Sequence, residues 1–234
     1  MARTQNNSEL LDYLAEKNLQ QTTAQLPNLN EISKELGISV ARLREQLEVA
    51  KVLGLVEAKP RVGLRQLSYS FLPAVRQSLT YAIQIDPQNF NIYSELRDHI
   101  EQAYWEKAVS LLTPADLEAL KALVSKAWSM LHAERVKIPH QEHKQFHLLI
   151  YSRLNNPFVE GLLEAFWDAY EKIGANLYAD YEYLEKVWKL HQEMVDAISV
   201  GNFSRGYQAM TAHRHLIQHQ DTSELINNIN RATT

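Results

Sequence analysis

The chain has 234 residues, 24 Lys and Arg against 28 Asp and Glu, a net charge of −4 and no cysteine. This length suits one or two domains. The missing cysteine excludes disulfides, thiolate metal sites and a cysteine nucleophile, and it fits a reducing compartment. Seven Gly and seven Pro are too few for a loop-rich all-β fold. No apolar run approaches the ~18 residues of a membrane span, and the N-terminus lacks the apolar core of a secretion signal. A mainly α protein of the cytoplasm, with no membrane partner, is expected.

The net charge hides an asymmetry. Residues 1–68 carry 9 basic and 8 acidic groups, and residues 69–234 carry 15 and 20. Within 39–68 the count is 6 basic against 3 acidic, a local excess suited to phosphates.

In chain order, residues 8–19 read as a helix with Ser8 as N-cap and Leu10, Leu11 and Leu14 inward. Residues 28–36 give a short second helix through Leu29, Ile32 and Leu36, stopped by Gly37. Ser39 caps a third helix whose inner side is Leu43, Leu47 and Ala50, and Gly54 ends it. Leu55–Ala58 and Leu64–Leu67 read as two short strands around a Pro-Arg-Val-Gly turn. This order defines a winged helix-turn-helix. From residue 70 the period is helical, with helices over 70–84, 89–111, 114–136, 140–154, 157–175, 180–200 and 202–222. All seven prolines fall where helices start or stop. The expected division is a DNA-binding domain over 1–68, a linker helix over 69–88, a helical domain over 89–222 and a flexible tail over 223–234.

Arg42, Arg44 and Lys51 alternate with the buried positions of the third helix and should face solvent. Arg44 lies near the N-terminal end, the part of a recognition helix that reaches base edges. Ser39 and Gln46 are short polar groups for bases or phosphates. Lys59, Arg61 and Arg65 sit on the wing, placed for phosphates or the minor groove.

Four of the nine histidines form a pattern. His143 and His147 are one helical turn apart and share a face, a spacing that lets two imidazoles hold one metal. If the last four helices run up and down, His143, His147, His191 and His213 fall within roughly 6 Å of one level at 1.5 Å per residue. Metal sites in helix bundles are assembled from such facing side chains. Trp167, Tyr170, Tyr178, Tyr181, Tyr183 and Trp188 read first as core at helical spacing, and as pocket walls second.

The segment "LPNLNEISKELGISVARLREQLEVAKVLGLVEAKPRVGLRQ" (26–66) resembles the winged helix of GntR-type bacterial transcription regulators. The motifs "ELRDHIE" (95–101), "HKQFH" (143–147), "NNPFVEGLL" (155–163), "HQEMVDAI" (191–198) and "AMTAH" (209–213) resemble the all-helical FCD domain of the FadR-like subfamily. The resemblance spans roughly residues 10–220. It implies a homodimer on double-stranded operator DNA, associated with the nucleoid when bound. It also implies a small organic acid effector and a divalent metal held by one Asp and three His.

Three positions depart from the family pattern. Asn30 stands where the family has an arginine that contacts DNA. Val40 replaces the first arginine of the recognition helix, while Arg44 keeps the second, so the operator should differ or bind more weakly. His143 stands at the Asp position, and His191 and His213 keep the family's 22-residue spacing. An all-nitrogen set favours Zn²⁺ or Ni²⁺, with Cu²⁺ also suited, over Mg²⁺ or Mn²⁺. It leaves the full charge on the ion, which favours a carboxylate effector; alternatively His143 swings away and three histidines bind. The resemblance assigns Arg97 and Asn156 to the effector. For Arg97 an internal ion pair with Glu101 at i+4 is an equal reading. Two other functions stay open: a metal-dependent hydrolase, against which no H-E-x-x-H base accompanies the histidines, and a DNA-binding dimer with a metal-free scaffold.

Overall fold

The computed structural model describes residues 8–19, 25–59, 63–173 and 181–218. Arg61, Tyr178 and the expected tail lie outside the described residues. The chain divides near residue 77 into two compact units.

The first unit opens with α1 (Glu9–Leu19), α2 (Leu29–Leu36) and α3 (Val40–Val52). Asn28 caps α2 in a reciprocal capping box with Glu31, and Gly37 ends the helix in the left-handed region at φ 65°. The Ser39 hydroxyl accepts the Arg42 amide at 3.2 Å and starts α3. Antiparallel strands β1 (Val56–Lys59) and β2 (Gly63–Gln66) form the wing, with Val56 opposite Gln66 and Lys59 opposite Gly63. Each strand sits one residue nearer the turn than the pattern predicts. The cause is Leu55, whose amide returns to the Ala50 carbonyl at 2.9 Å and so finishes α3. Leu10, Leu14, Ile32, Leu43, Leu47, Ala50, Val56 and Leu64 form one core. Tyr13 joins it, while the expected Leu11 is only half-buried.

Helix α4 (Leu72–Ile85) crosses the division. The second unit is helical: α5 (Asn89–Ser110), α6 (Pro114–Leu131), α7 (His140–Tyr151), α8 (Pro157–Lys172), α9 (Tyr181–Ser199) and α10 (Phe203–Gln218). Helix α7 packs on α5, α6 and α8, helix α9 packs on α6 and α10, and α5 also touches α8 and α10. Trp105, Leu120, Val124, Phe146, Ile150, Leu163, Trp188 and Met194 lie in its core.

Helix α6 stops at Leu131, five residues before the predicted end at 136. The Lys137 amide bonds back to the Met130 carbonyl at 3.1 Å, and Ile138 turns onto the core. That folding back ends the helix although Ala133-Glu134-Arg135 favour one. Helix α7 runs into a single 3-10 turn, Ser152–Leu154, before left-handed Asn155 at φ 49°. The fold is mainly α, an N-terminal winged helix-turn-helix followed by an all-α bundle. Among the described residues, no helix is long and apolar enough to cross a membrane.

Candidate metal centre and nucleic-acid interface

The bundle brings all four expected histidines together. His143 and His147 come from α7, His191 from α9 and His213 from α10. One ring nitrogen from each lies within 4.8 Å of the others, and all four residues are buried. His143 Nε2 is 3.1 Å from His213 Nε2, and His191 Nε2 is 3.3 Å from His147 Nε2. Burial, reinforced by the neighbouring imidazoles and Arg97, holds His143, His191 and His213 well below the ordinary histidine range. Burial also lowers His147, with Glu101 opposing. The four rings are therefore neutral near pH 7, the state in which imidazole ligates metals.

The surroundings aim the rings. His191 Nδ1–H donates to the Val187 carbonyl at 2.7 Å, which turns its Nε2 lone pair to the centre. Trp167 meets His143 edge-on at 4.7 Å, and Trp188 lies 4.7 Å from His191. His213 Nδ1 is buried without a hydrogen-bond partner among the described residues. Tetrahedral zinc at about 2.0–2.1 Å from each nitrogen sets those nitrogens about 3.3 Å apart. Both Nε2···Nε2 pairs already stand near that spacing. The donors thus fit a borderline transition ion, and among the described residues no carboxylate joins the set.

Arg97 on α5 is only 2% exposed. Its Nη2 is 2.9 Å from both Glu101 oxygens and 3.2 Å from His147 Nδ1. Its guanidinium lies 4.4 Å over the Phe166 ring and 5.4 Å over Trp167. Burial would raise the Glu101 carboxyl, but Arg97 and His147 together outweigh it and hold it below the ordinary range. The ion-pair reading of Arg97 is therefore present in the structure. Asn156, which the resemblance assigns to an effector, is the N-cap of α8. Its Oδ1 accepts the Phe158 and Val159 amides at 3.0 and 3.3 Å.

The winged helix places its polar groups unevenly. Arg44 is exposed on α3 and has no ion pair among the described residues. Arg42 is also exposed but pairs with Glu9 of α1. Gln46, expected as a base reader, is turned to α1. It accepts from the Ser8 hydroxyl at 2.8 Å and the Leu10 amide at 2.9 Å, and its Nε2 donates to Glu9. With donor and acceptor both engaged, it ties α1 to α3. Ser39 accepts at its N-cap and keeps its hydroxyl proton to donate. Asn30 is exposed in the first turn of α2. On the wing, Lys59 lies 2.9 Å and Arg65 3.9 Å from Glu57, all three partly exposed. Sequence reasoning missed Glu9, because nothing in the pattern ties residue 9 to residues 42 and 46. It also read Glu101 only as a partner of Arg97, with no sign of its contact with the distant His147.

The FCD domain family model matches residues 93–216. The HTH-type transcriptional regulator LutR of Bacillus subtilis is 23% identical over 196 residues, which is 80% of this chain and 87% of that protein. The solved structure of a Streptococcus agalactiae GntR superposes with a TM-score of 0.67 at 20% identity, covering 89% of this chain and 95% of that one. E. coli McbR/YncC gives 0.50 at 16% identity, over 95% and 99%. The chain belongs to the FCD-domain, FadR-like branch of the GntR-type transcription regulators.

Proposed function

We propose that this regulator is a homodimer on operator DNA whose helical bundle holds a divalent transition metal, zinc or nickel, on His143, His147, His191 and His213. The observation that carries the metal is the buried set of four neutral imidazole nitrogens within 4.8 Å. When bound, the ion supplies a positive centre for an anionic ligand. A small organic acid is the effector class this charge suits, and its binding shifts the affinity for DNA. A crevice of about 20 Å³ beside His143, Trp167 and Tyr170 has room for one water but not for an organic acid.

Arg44 is the base-reading arginine in this proposal, and Ser39, Asn30, Arg42, Lys59, Arg61 and Arg65 are assigned to the DNA phosphates. The DNA-binding domain is assigned to 1–68, the linker helix to 69–88 and the effector and dimer domain to 89–222. Against a hydrolase stands the engagement of the buried carboxylates near the histidines: Glu101 with Arg97 and Glu142 with Lys126 at 2.7 Å.

The test is a salt titration of binding to DNA from upstream of this protein's own gene and to scrambled DNA, with zinc and after chelator. Fragment-specific binding that weakens steeply with salt supports the regulator on this operator. Zinc content after purification without a nickel column separates the metal reading from a metal-free scaffold. Less than a tenth of an ion per chain after zinc incubation overturns it.

A further inference from the structure

His147 Nδ1 has two partners of opposite kind. Arg97 Nη2, which can only donate, stands 3.2 Å away, and Glu101 Oε1, which accepts, stands 3.4 Å away. A neutral imidazole has one N–H, so Nδ1 can serve only one of them at a time. Each choice fixes what Nε2 does at the centre.

If Arg97 donates to Nδ1, the proton of His147 sits on Nε2. That N–H then points to His191 Nε2 at 3.3 Å. His191 can accept, because its own proton is spent on the Val187 carbonyl. The His147–His191 pair is then satisfied without any ion. If Nδ1–H instead donates to Glu101, the Nε2 lone pair is free. It then faces the His191 lone pair at the same 3.3 Å, an arrangement that needs a cation between them. Both states conserve the imidazole proton, which moves from one nitrogen to the other through exchange with solvent.

We propose that Arg97 and Glu101 are paired positioning residues that serve the two tautomers of His147, Arg97 holding the metal-free one and Glu101 the ligating one. This rests on the metal reading above. Glu101 then also supplies, through His147, the negative charge that an all-histidine ligand set lacks. Arg97 keeps that carboxylate compensated in both states. Both residues are at most 2% exposed, so water does not substitute for either partner.

The test uses the full chain labelled with ¹⁵N-histidine, whose ring-nitrogen shifts report the tautomer directly, after chelator and after one equivalent of zinc. The expected result is His147 protonated on Nε2 without metal and on Nδ1 with zinc, while His191 stays protonated on Nδ1 throughout. His147 protonated on Nδ1 in both states overturns the role of Arg97. Zinc uptake with the proton retained on Nε2 overturns the role of Glu101. Failure to take up zinc sinks the metal reading itself, and this proposal with it. Glu101→Gln gives a second readout by chelator competition, since the amide keeps an acceptor and removes the charge. Zinc affinity should fall about 10- to 100-fold, the usual cost of losing such a partner. Unchanged affinity overturns the charge role.

Discussion

Glu9 controls two of the groups on the recognition helix. Its carboxylate takes the Arg42 guanidinium and the Gln46 amide together. The residue's own backbone hydrogen bond, and next the Gln46 hydrogen bond, lower the Glu9 pKa; burial opposes, and Arg42 assists. Arg42 must leave this partner before it can neutralise a phosphate, whereas Arg44 need not. Arg44→Ala should therefore weaken operator binding more than Arg42→Ala and reduce the salt slope by about one. Glu9→Gln should tighten binding to scrambled DNA by releasing Arg42. Filter binding across a salt series reads all three variants. Equal losses for Arg42→Ala and Arg44→Ala would show that the Glu9 pair does not restrain Arg42 in solution. At the bundle, His191→Ala removes one of the four proposed ligands and the lone pair that the Val187 bond aims. Zinc affinity should drop at least tenfold by chelator competition, with the helical circular dichroism retained.

At the scale of elements, two glycines that look alike in sequence differ in surroundings. Gly37 and Gly54 both follow a helix and both sit in the left-handed region, at φ 65° and 69°. A Cβ on Gly37 meets nothing within 4 Å, while one on Gly54 comes 2.6 Å from Pro73 Cγ. Gly37→Ala bears backbone strain alone, about 1–2 kcal/mol. Gly54→Ala adds displacement of the proline ring, and denaturant titration should show the larger loss. Sequence carries the φ requirement through the position after the helix, but not Pro73, which lies 19 positions on. The same limit runs through the fold. Helix α3 is legible because Ser39, Leu43, Leu47 and Ala50 are local signals that tertiary packing then uses unchanged. The end of α6 is not, because the Lys137-to-Met130 bond and Ile138 burial override residues with good helix propensity. The four histidines are legible since helix length and turn position set their level. The tautomer of His147 is not, since it depends on which side chains of α5 face α7.

For the whole molecule, the buried imidazoles link stability to pH. In the unfolded chain each histidine takes its proton near the ordinary value of 6.5; in the folded bundle burial depresses His143, His191 and His213 well below it. Between those values the unfolded state binds more protons than the folded one, so stability rises with pH there. Above about pH 7.5 neither state binds them and the contribution is flat. As pH falls below 6.5 the metal-free protein loses stability, by up to about 1.4 kcal/mol per pH unit for each histidine. Metal adds a second term of the same sign. On the proposed function it binds the folded bundle, worth about 2.7 kcal/mol at a hundredfold excess over Kd when the unfolded chain does not bind, and protons compete for its ligands as pH falls. Thermal melts of chelated and zinc-loaded protein from pH 8 to pH 5 separate the two terms. The chelated melting temperature should hold steady down to about pH 7 and then fall. The zinc increment should be largest at high pH and shrink below 6.5. A chelated melting temperature that stays level through this range would mean that the four rings protonate inside the folded bundle. The neutral ligand set argued for the centre would then be wrong.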